Sequence, residues 1–231
     1  MKALVASGSA QEAQDLAAVS HGGAAAIELN LYDVVTSADE TGGMVEDRQL
    51  AVVRAVTGAV RVPVTVKLPP FYTSVPAFLR RLEAAGALGV AMFNRFYQPD
   101  IDLEALDVDR RLVLSTSREL PLRIHALAIT SPDTPLSLAC TGGVHTGNDA
   151  AKAIVCGADV VQLASSLLER GPDHLAVIRD QLVRWLSETG YASSDEARGV
   201  LARNSAPDRH AWERLQYTRM LGGWKPRRHE R

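Results

Sequence analysis

The chain has 231 residues, 46% of them hydrophobic and 23% charged, enough to bury one sizeable core in the one-domain size range. With 25 Lys+Arg against 27 Asp+Glu, a formal charge of -2 gives no global attraction to nucleic acid or an anionic membrane, so a small-molecule ligand is the default. Cys140 and Cys156 lie in apolar segments without paired zinc spacing and read as buried, reduced thiols of a cytoplasmic protein. Ser7, Gly8 and Gln11 interrupt the first apolar run too early for a signal peptide, and no apolar stretch is long enough to span a bilayer.

In chain order, short apolar runs alternate with longer amphipathic ones. A strand at 3–6 leads to a helix at 10–20, a strand at 26–31 to a helix at 46–60, and a strand at 62–68 to a helix at 75–85. Strands at 90–93, 136–141 and 160–164 follow, with helices at 148–156 and 174–188. Several strands are apolar on both faces, as a parallel sheet covered by helices requires. Helix ends at His21-Gly22-Gly23, Ala85-Gly86-Ala87 and Cys156-Gly157-Ala158 repeat one unit: helix, glycine turn, buried strand. The pattern predicts an α/β fold, a TIM-type (β/α) barrel that is incomplete, with about six βα units against the eight of a closed barrel.

Residues 97–137, with prolines at 99, 121, 132 and 135, break the rhythm and read as an excursion above the barrel. Beyond Gly190 the chain turns polar, and 193–203 and 208–221 read as two covering helices before a basic, disordered tail at 225–231. The expected organisation is a barrel over 1–190, a helical extension over 191–224 and the tail.

Chemistry in parallel barrels collects at the C-terminal strand ends. Asn30, Lys67 and Asn94 occupy such positions, as do the turn Gly142-Gly143 and the pair Ala164-Ser165. Lys67 stands in an otherwise apolar strand, where an ammonium needs an anionic or hydrogen-bonding partner; a surface-facing lysine is the plain alternative. The two asparagines are either a polar row beside Lys67 or loop caps. Gly142-Gly143 before a helix near Asn148 lets backbone amides approach an anion, with Ser165 in the second loop; a tight turn without ligand is the alternative. His145 is assigned no catalytic role, and no residues have metal-ligand spacing.

Glu28-Leu29-Asn30-Leu31, Val66-Lys67-Leu68-Pro69-Pro70, Phe93-Asn94-Arg95-Phe96-Tyr97-Gln98-Pro99-Asp100 and Thr141-Gly142-Gly143-Val144-His145 resemble a branch of the dihydroorotate dehydrogenase family, flavin-dependent barrels. Arg203-Asn204, Glu213-Arg214 and Tyr217 resemble that branch's tail. The resemblance implies FMN as cofactor, with Asn30, Lys67 and Asn94 facing flavin or substrate and Gly142, Gly143, Ala164 and Ser165 holding its phosphate. Two departures stand out. The cysteine or serine base expected three residues after the strand asparagine is Asp33, a carboxylate still able to take a proton. The family's first two βα units, with a flavin-contacting lysine and a substrate-contacting asparagine loop, have no counterpart before Met1.

These features predict an FMN-dependent oxidoreductase acting on a small cyclic or amide-containing substrate other than dihydroorotate, with Asp33 and Lys67 in the catalytic roles. A homo-oligomer, or a partner chain supplying the missing units, is expected to cover the open sheet edge at the first strand. The competing expectation is a non-redox barrel that binds a phosphate-bearing ligand after losing flavin chemistry. A third class, isomerases or aldolases, would use Lys67 as a Schiff-base lysine.

Overall fold

A computed structural model describes residues 3–7, 24–95, 98–208, 210–213 and 222–223, with backbone alone at 3–7 and 211. The helix expected at 10–20, Phe96-Tyr97, the stretch 214–221 and the tail 225–231 lie outside these residues. The described strands that form the main sheet are β1 (Ala3–Ser7), β2 (Ala26–Asn30), β3 (Val64–Leu68), β4 (Gly89–Met92), β7 (Ser137–Thr141) and β8 (Val160–Gln162). They pair in parallel in the order β1-β2-β3-β4-β7-β8. A separate antiparallel hairpin pairs β5 (Asp100–Asp102) with β6 (Asp107–Asp109). β1 and β8 end the main order, and among the described residues no ladder joins them.

Alternation along β2 and β3 separates two environments. In β2, Ile27 and Leu29 are buried while Glu28 and Asn30 are partly open; in β3, Val64, Val66 and Leu68 are buried while Thr65 and Lys67 are partly open. The apolar set meets the helices and the polar set faces the concave interior, since successive side chains point to opposite faces. Gln162 of β8 donates to Glu28 of β2 at 2.7 Å, so strands four places apart in the order meet through their side chains. That contact requires the sheet to curl as a barrel wall does.

Helix α1 (Gly42–Ala59) begins four residues before the expected start, because the Thr41 side chain accepts from the Met44 amide and caps it. Two glycines in its first turn hide the helix from a propensity reading. Helix α2 (Val75–Ala84) is capped by Ser74 and buries Phe78, Leu79 and Leu82. Helix α3 (Leu120–Thr130) lies within the segment read as an excursion, beside a hairpin that has no buried residue. Leu120, Ala126 and Leu127 bury into the core, and Pro121 sits in the first turn, where a missing N–H costs no helical bond. Helix α4 (Gly147–Val155) follows β7, and the short α5 (Ser165–Arg170) and long α6 (His174–Thr189) follow β8. Past Gly190, α7 (Ser194–Ala197) is a single turn rather than the helix expected over 193–203, and α8 (His210–Glu213) is the described helical turn within the second expected segment.

Side chains between sheet and helices form one continuous cluster, including Leu29, Val66 and Leu68 from the sheet and Val53, Phe78 and Leu127 from the helices. Each such buried side chain contributes about 1.5–3 kcal/mol. Cys140 and Cys156 are free and buried there, and burial pushes both thiols up to about 12. Among the described residues no helix is long and apolar enough to cross a membrane.

Candidate active site

The register sets the heights of the polar row. Asn30 is the ladder partner of Lys67, and Lys67 of Ala91. Past β4 the Asn94 amide donates to the Leu68 carbonyl at 2.7 Å, holding Asn94 beside the end of β3. This brings the asparagines together: Asn94 Nδ2 donates to Asn30 Oδ1 at 2.7 Å. The bond uses one amide hydrogen and one carbonyl of the pair, and among the described residues no other side-chain bond is formed by either. One NH2 and one C=O therefore retain capacity, and flipping both amides leaves the same inventory.

Lys67 is not a surface lysine. Its Nζ lies 3.5 Å from Glu28 Oε1, with side-chain exposures of 22% and 12%, while Gln162 holds the other carboxylate oxygen. Glu28 thus neutralises the ammonium within the interior, and Gln162 satisfies the remaining oxygen, the condition under which burying an ion pair is tolerable.

Asp33 stands apart from this row, in the loop between β2 and α1. Its carboxylate accepts from Gln49 Nε2 at 2.7 Å and, at 3.4 Å, from Arg48 Nη2, which also pairs with Glu40 through Nη1. Both donors come from α1, and among the described residues no direct bond joins Asp33 to Asn30, Lys67 or Asn94.

Gly142 and Gly143 have φ of +84° and +80°. A Cβ on Gly143 would lie 2.7 Å from the Leu120 nitrogen, and one on Gly142 would lie 3.0 Å from the Arg123 guanidinium. The turn therefore needs glycine twice over, for its backbone angle and for the approach of α3. Arg123, buried at the base of the turn, donates to the Thr141 carbonyl at 3.0 Å and the Glu119 carbonyl at 2.9 Å; burial lowers its pKa, Glu119 opposing.

The Gly143 amide donates to Ser115 Oγ at 3.3 Å, and the Ser115 and Ser165 hydroxyls bond at 2.8 Å, with the Ser115 amide on Ser165 Oγ at 3.1 Å. The loops after β7 and β8 are thus joined through Ser115. Two hydroxyl hydrogens are present and the mutual bond uses one, so whichever serine donates, one hydrogen is left for a further acceptor. Ser165 opens α5, whose N-cap position, Ala164, has no side-chain oxygen to cap it. Behind it, Ser166 Oγ is buried without a partner among the described residues.

Asp149 closes a capping box at the start of α4 with Thr146. Burial pushes its carboxyl up, but bonds from the Ser117 hydroxyl and the His145 and Thr146 amides prevail and hold it below the usual range.

The structure therefore forms two groups from the expected residues, Asn30–Lys67–Asn94 and Gly142–Gly143–Ala164–Ser165, with Asp33 held separately. Sequence reasoning missed Ser115, Arg123, Gln49, Glu28 and Gln162 as members. Glu28 and Gln162 carried a signal, each being polar in an otherwise apolar strand; Ser115 and Arg123, in an apparent excursion, carried none.

The family model described as dihydroorotate dehydrogenase matches residues 5–186. A curated relative named dihydroorotate dehydrogenase A (fumarate), from Lacticaseibacillus paracasei, is 31% identical over 119 residues, 50% of this chain and 41% of that protein. One named dihydroorotate dehydrogenase B (NAD(+)), catalytic subunit, from Pyrococcus abyssi, is 28% identical over 156 residues, 64% of this chain and 51% of that protein. The chain thus spans about half or less of the length of these relatives. A crystal structure of ligand-free DHODH from Eimeria tenella superposes with a TM-score of 0.66 at 18% identity, covering 83% of this chain and 59% of that one, a likeness of fold alone.

Proposed function

Because the chain belongs to the dihydroorotate dehydrogenase family, we propose that it is an FMN-dependent oxidoreductase acting on a small cyclic, amide-containing substrate. The observation that carries this reading is the Asn30–Asn94 pair, whose spare NH2 and spare C=O match the acceptor and donor of a ring –CO–NH– unit. The donor set between the two glycine-and-serine loops fits a flavin phosphate: a hydroxyl hydrogen seeking an acceptor, the uncapped N-terminus of α5, and a glycine turn with no side chains in the way. Ala164, Ser165, Gly142 and Gly143 would hold it there. Lys67, neutralised by Glu28, would present N–H donors to the ring without adding net charge.

When bound, flavin would supply the acceptor for the hydride that leaves the substrate. Asp33, held by Gln49 and Arg48 of α1, would take the accompanying proton from the adjacent carbon. The relatives' names point to dihydroorotate. The carboxylate at the base position argues for a different ring substrate, and oxidation of dihydroorotate at an enzymatic rate would overturn that preference. The edge strands β1 and β8 support assembly with a second copy or another chain, as the name of the Pyrococcus relative, a catalytic subunit, does for that protein.

One observation favours the non-redox alternative: the charges of Glu28 and Lys67 are already satisfied without a ligand. The visible spectrum of the purified chain, before and after addition of FMN, separates the two. Flavin absorbance that stays with the protein through gel filtration, and is released by heat as FMN, is expected; a colourless protein that takes up no FMN rejects the flavin reading.

A further inference from the structure

Gln49 is an uncommon side chain for its place: it lies on the inner face of α1 and is 4% exposed, among Leu50, Val53 and Val56. A buried amide needs partners for both its ends, since an unsatisfied one costs about as much as a lost hydrogen bond. It has them. Nε2 donates to Asp33 Oδ2 at 2.7 Å, and Oε1 accepts from the Tyr72 hydroxyl at 2.8 Å. Tyr72 is itself fixed, its ring stacked on Phe78 with centroids 4.4 Å apart.

The polarity of this chain follows from what each group can do. An ionised carboxylate only accepts, so Gln49 must turn its NH2 to Asp33 and its oxygen to Tyr72, and Tyr72 must donate. Burial, with Asp33 and Glu46 nearby, raises the Tyr72 pKa, which keeps that donor hydrogen in place. Asp33 Oδ2 is then committed to a short, part-buried bond, whereas among the described residues Oδ1 has only the longer contact from the exposed Arg48. The two oxygens of one carboxylate are made unequal.

We infer that Gln49, held by Tyr72, is a positioning residue that commits Asp33 Oδ2 to the protein and leaves Oδ1 as the atom that takes the substrate proton. This rests on the proposed reading of Asp33. Gln49 touches neither substrate nor cofactor and acts through Asp33 alone. Its amide fixes the carboxylate plane, and with it the loop between β2 and α1.

The test compares Gln49→Met, which keeps the volume and removes both bonds, with Tyr72→Phe, Asp33→Asn and the Asp33→Asn/Gln49→Met double variant. The first readout is single-turnover reduction of the FMN-loaded chain by 5,6-dihydrouracil and by dihydroorotate. Gln49→Met is expected to lower the limiting rate about 10-fold with half-saturation within about 2-fold, and to add nothing in the Asp33→Asn background. The second readout needs neither flavin nor substrate: deuterium uptake by the amides of residues 33–36. It is expected to rise in Gln49→Met and, less, in Tyr72→Phe.

Unchanged uptake in Gln49→Met overturns the inference, as does a rate loss that persists at full size without the Asp33 carboxylate. If Asp33→Asn reacts at the parental rate, or neither substrate reduces the flavin, the proposed reaction of Asp33 fails instead. The exchange comparison still decides whether Gln49 holds the loop.

Discussion

The two halves of the barrel wall hold their polar residues by opposite means. In β2, β3 and β4 the side chains satisfy one another inside the curl of the sheet, Lys67 against Glu28 and Asn94 against Asn30. In the loops after β7 and β8 the residues are small, and the arrangement is made by backbone and hydroxyls: two glycines at positive φ, a short helix start and serines that tie the loops. The first half is held by chemical complement and the second by shape. Errors in charge should therefore be felt in one and errors in volume in the other.

The sharpest way to break this contrast is Gly143→Ala. One methyl group meets the backbone of Leu120 at 2.7 Å on a residue already at φ of +80°, so neither side can yield cheaply. A loss of about 3 kcal/mol or more is expected from the disfavoured angle plus the clash, read as a lowered urea midpoint. Gly190→Ala is the control, with φ of +82°, ψ of 12° and nothing within 4 Å, and should cost only about 1 kcal/mol. Equal losses at the two sites would show that the approach of α3 is not what the turn requires.

On the other half, Glu28→Gln and Lys67→Ala should each cost about 2 kcal/mol, below the 3–5 kcal/mol of a fully buried pair because both groups keep some solvent. The double variant Glu28→Gln/Lys67→Ala should lose less than the sum of the singles, since neither charge is then left alone. Additive losses in denaturation would mean that the pair is not coupled. Lys67→Ala is also expected to weaken FMN binding, whereas Glu28→Gln, which leaves the ammonium unpaired, should not.

The smallest effect on stability is expected from Ser165→Ala, about 1 kcal/mol for the lost bond to Ser115. Its binding effect should be larger, with FMN affinity falling about 10-fold because a hydroxyl donor to an anion is removed. Fluorescence titration of FMN checks this. If affinity is unchanged while stability falls, the serine pair only joins the loops.

The resemblance in β2, β3 and β4 was readable because parallel strands buried on both faces make any polar residue conspicuous. Asn30, Lys67 and Asn94 stand out against Ile27, Val66 and Met92, and the register places Asn30 beside Lys67 as expected. Gly142 and Gly143 were readable as a turn, while the reason for both, the approach of Leu120 and Arg123, was not. α3 was missed because its proline and charges resemble a loop, though a proline in the first turn leaves a helix intact. The hairpin in the same segment remains the part that stands off, without a buried residue.

What the sequence determined by itself is what local periodicity and single conspicuous residues can carry: alternating βα units, about six strands, a polar row and a glycine turn. Tertiary structure alone decided the partnerships. Glu28 meets Gln162 across 134 positions of chain, Asn30 meets Asn94 across 64, and Ser115 meets Ser165 across 50. Such pairs leave no periodic trace, because a side-chain hydrogen bond depends on how the sheet curls and not on spacing along the chain. Asp33 shows the same limit: the family resemblance put it at the base position, but only the packing of α1 shows that Gln49 holds one of its oxygens at 2.7 Å and Arg48 the other at 3.4 Å.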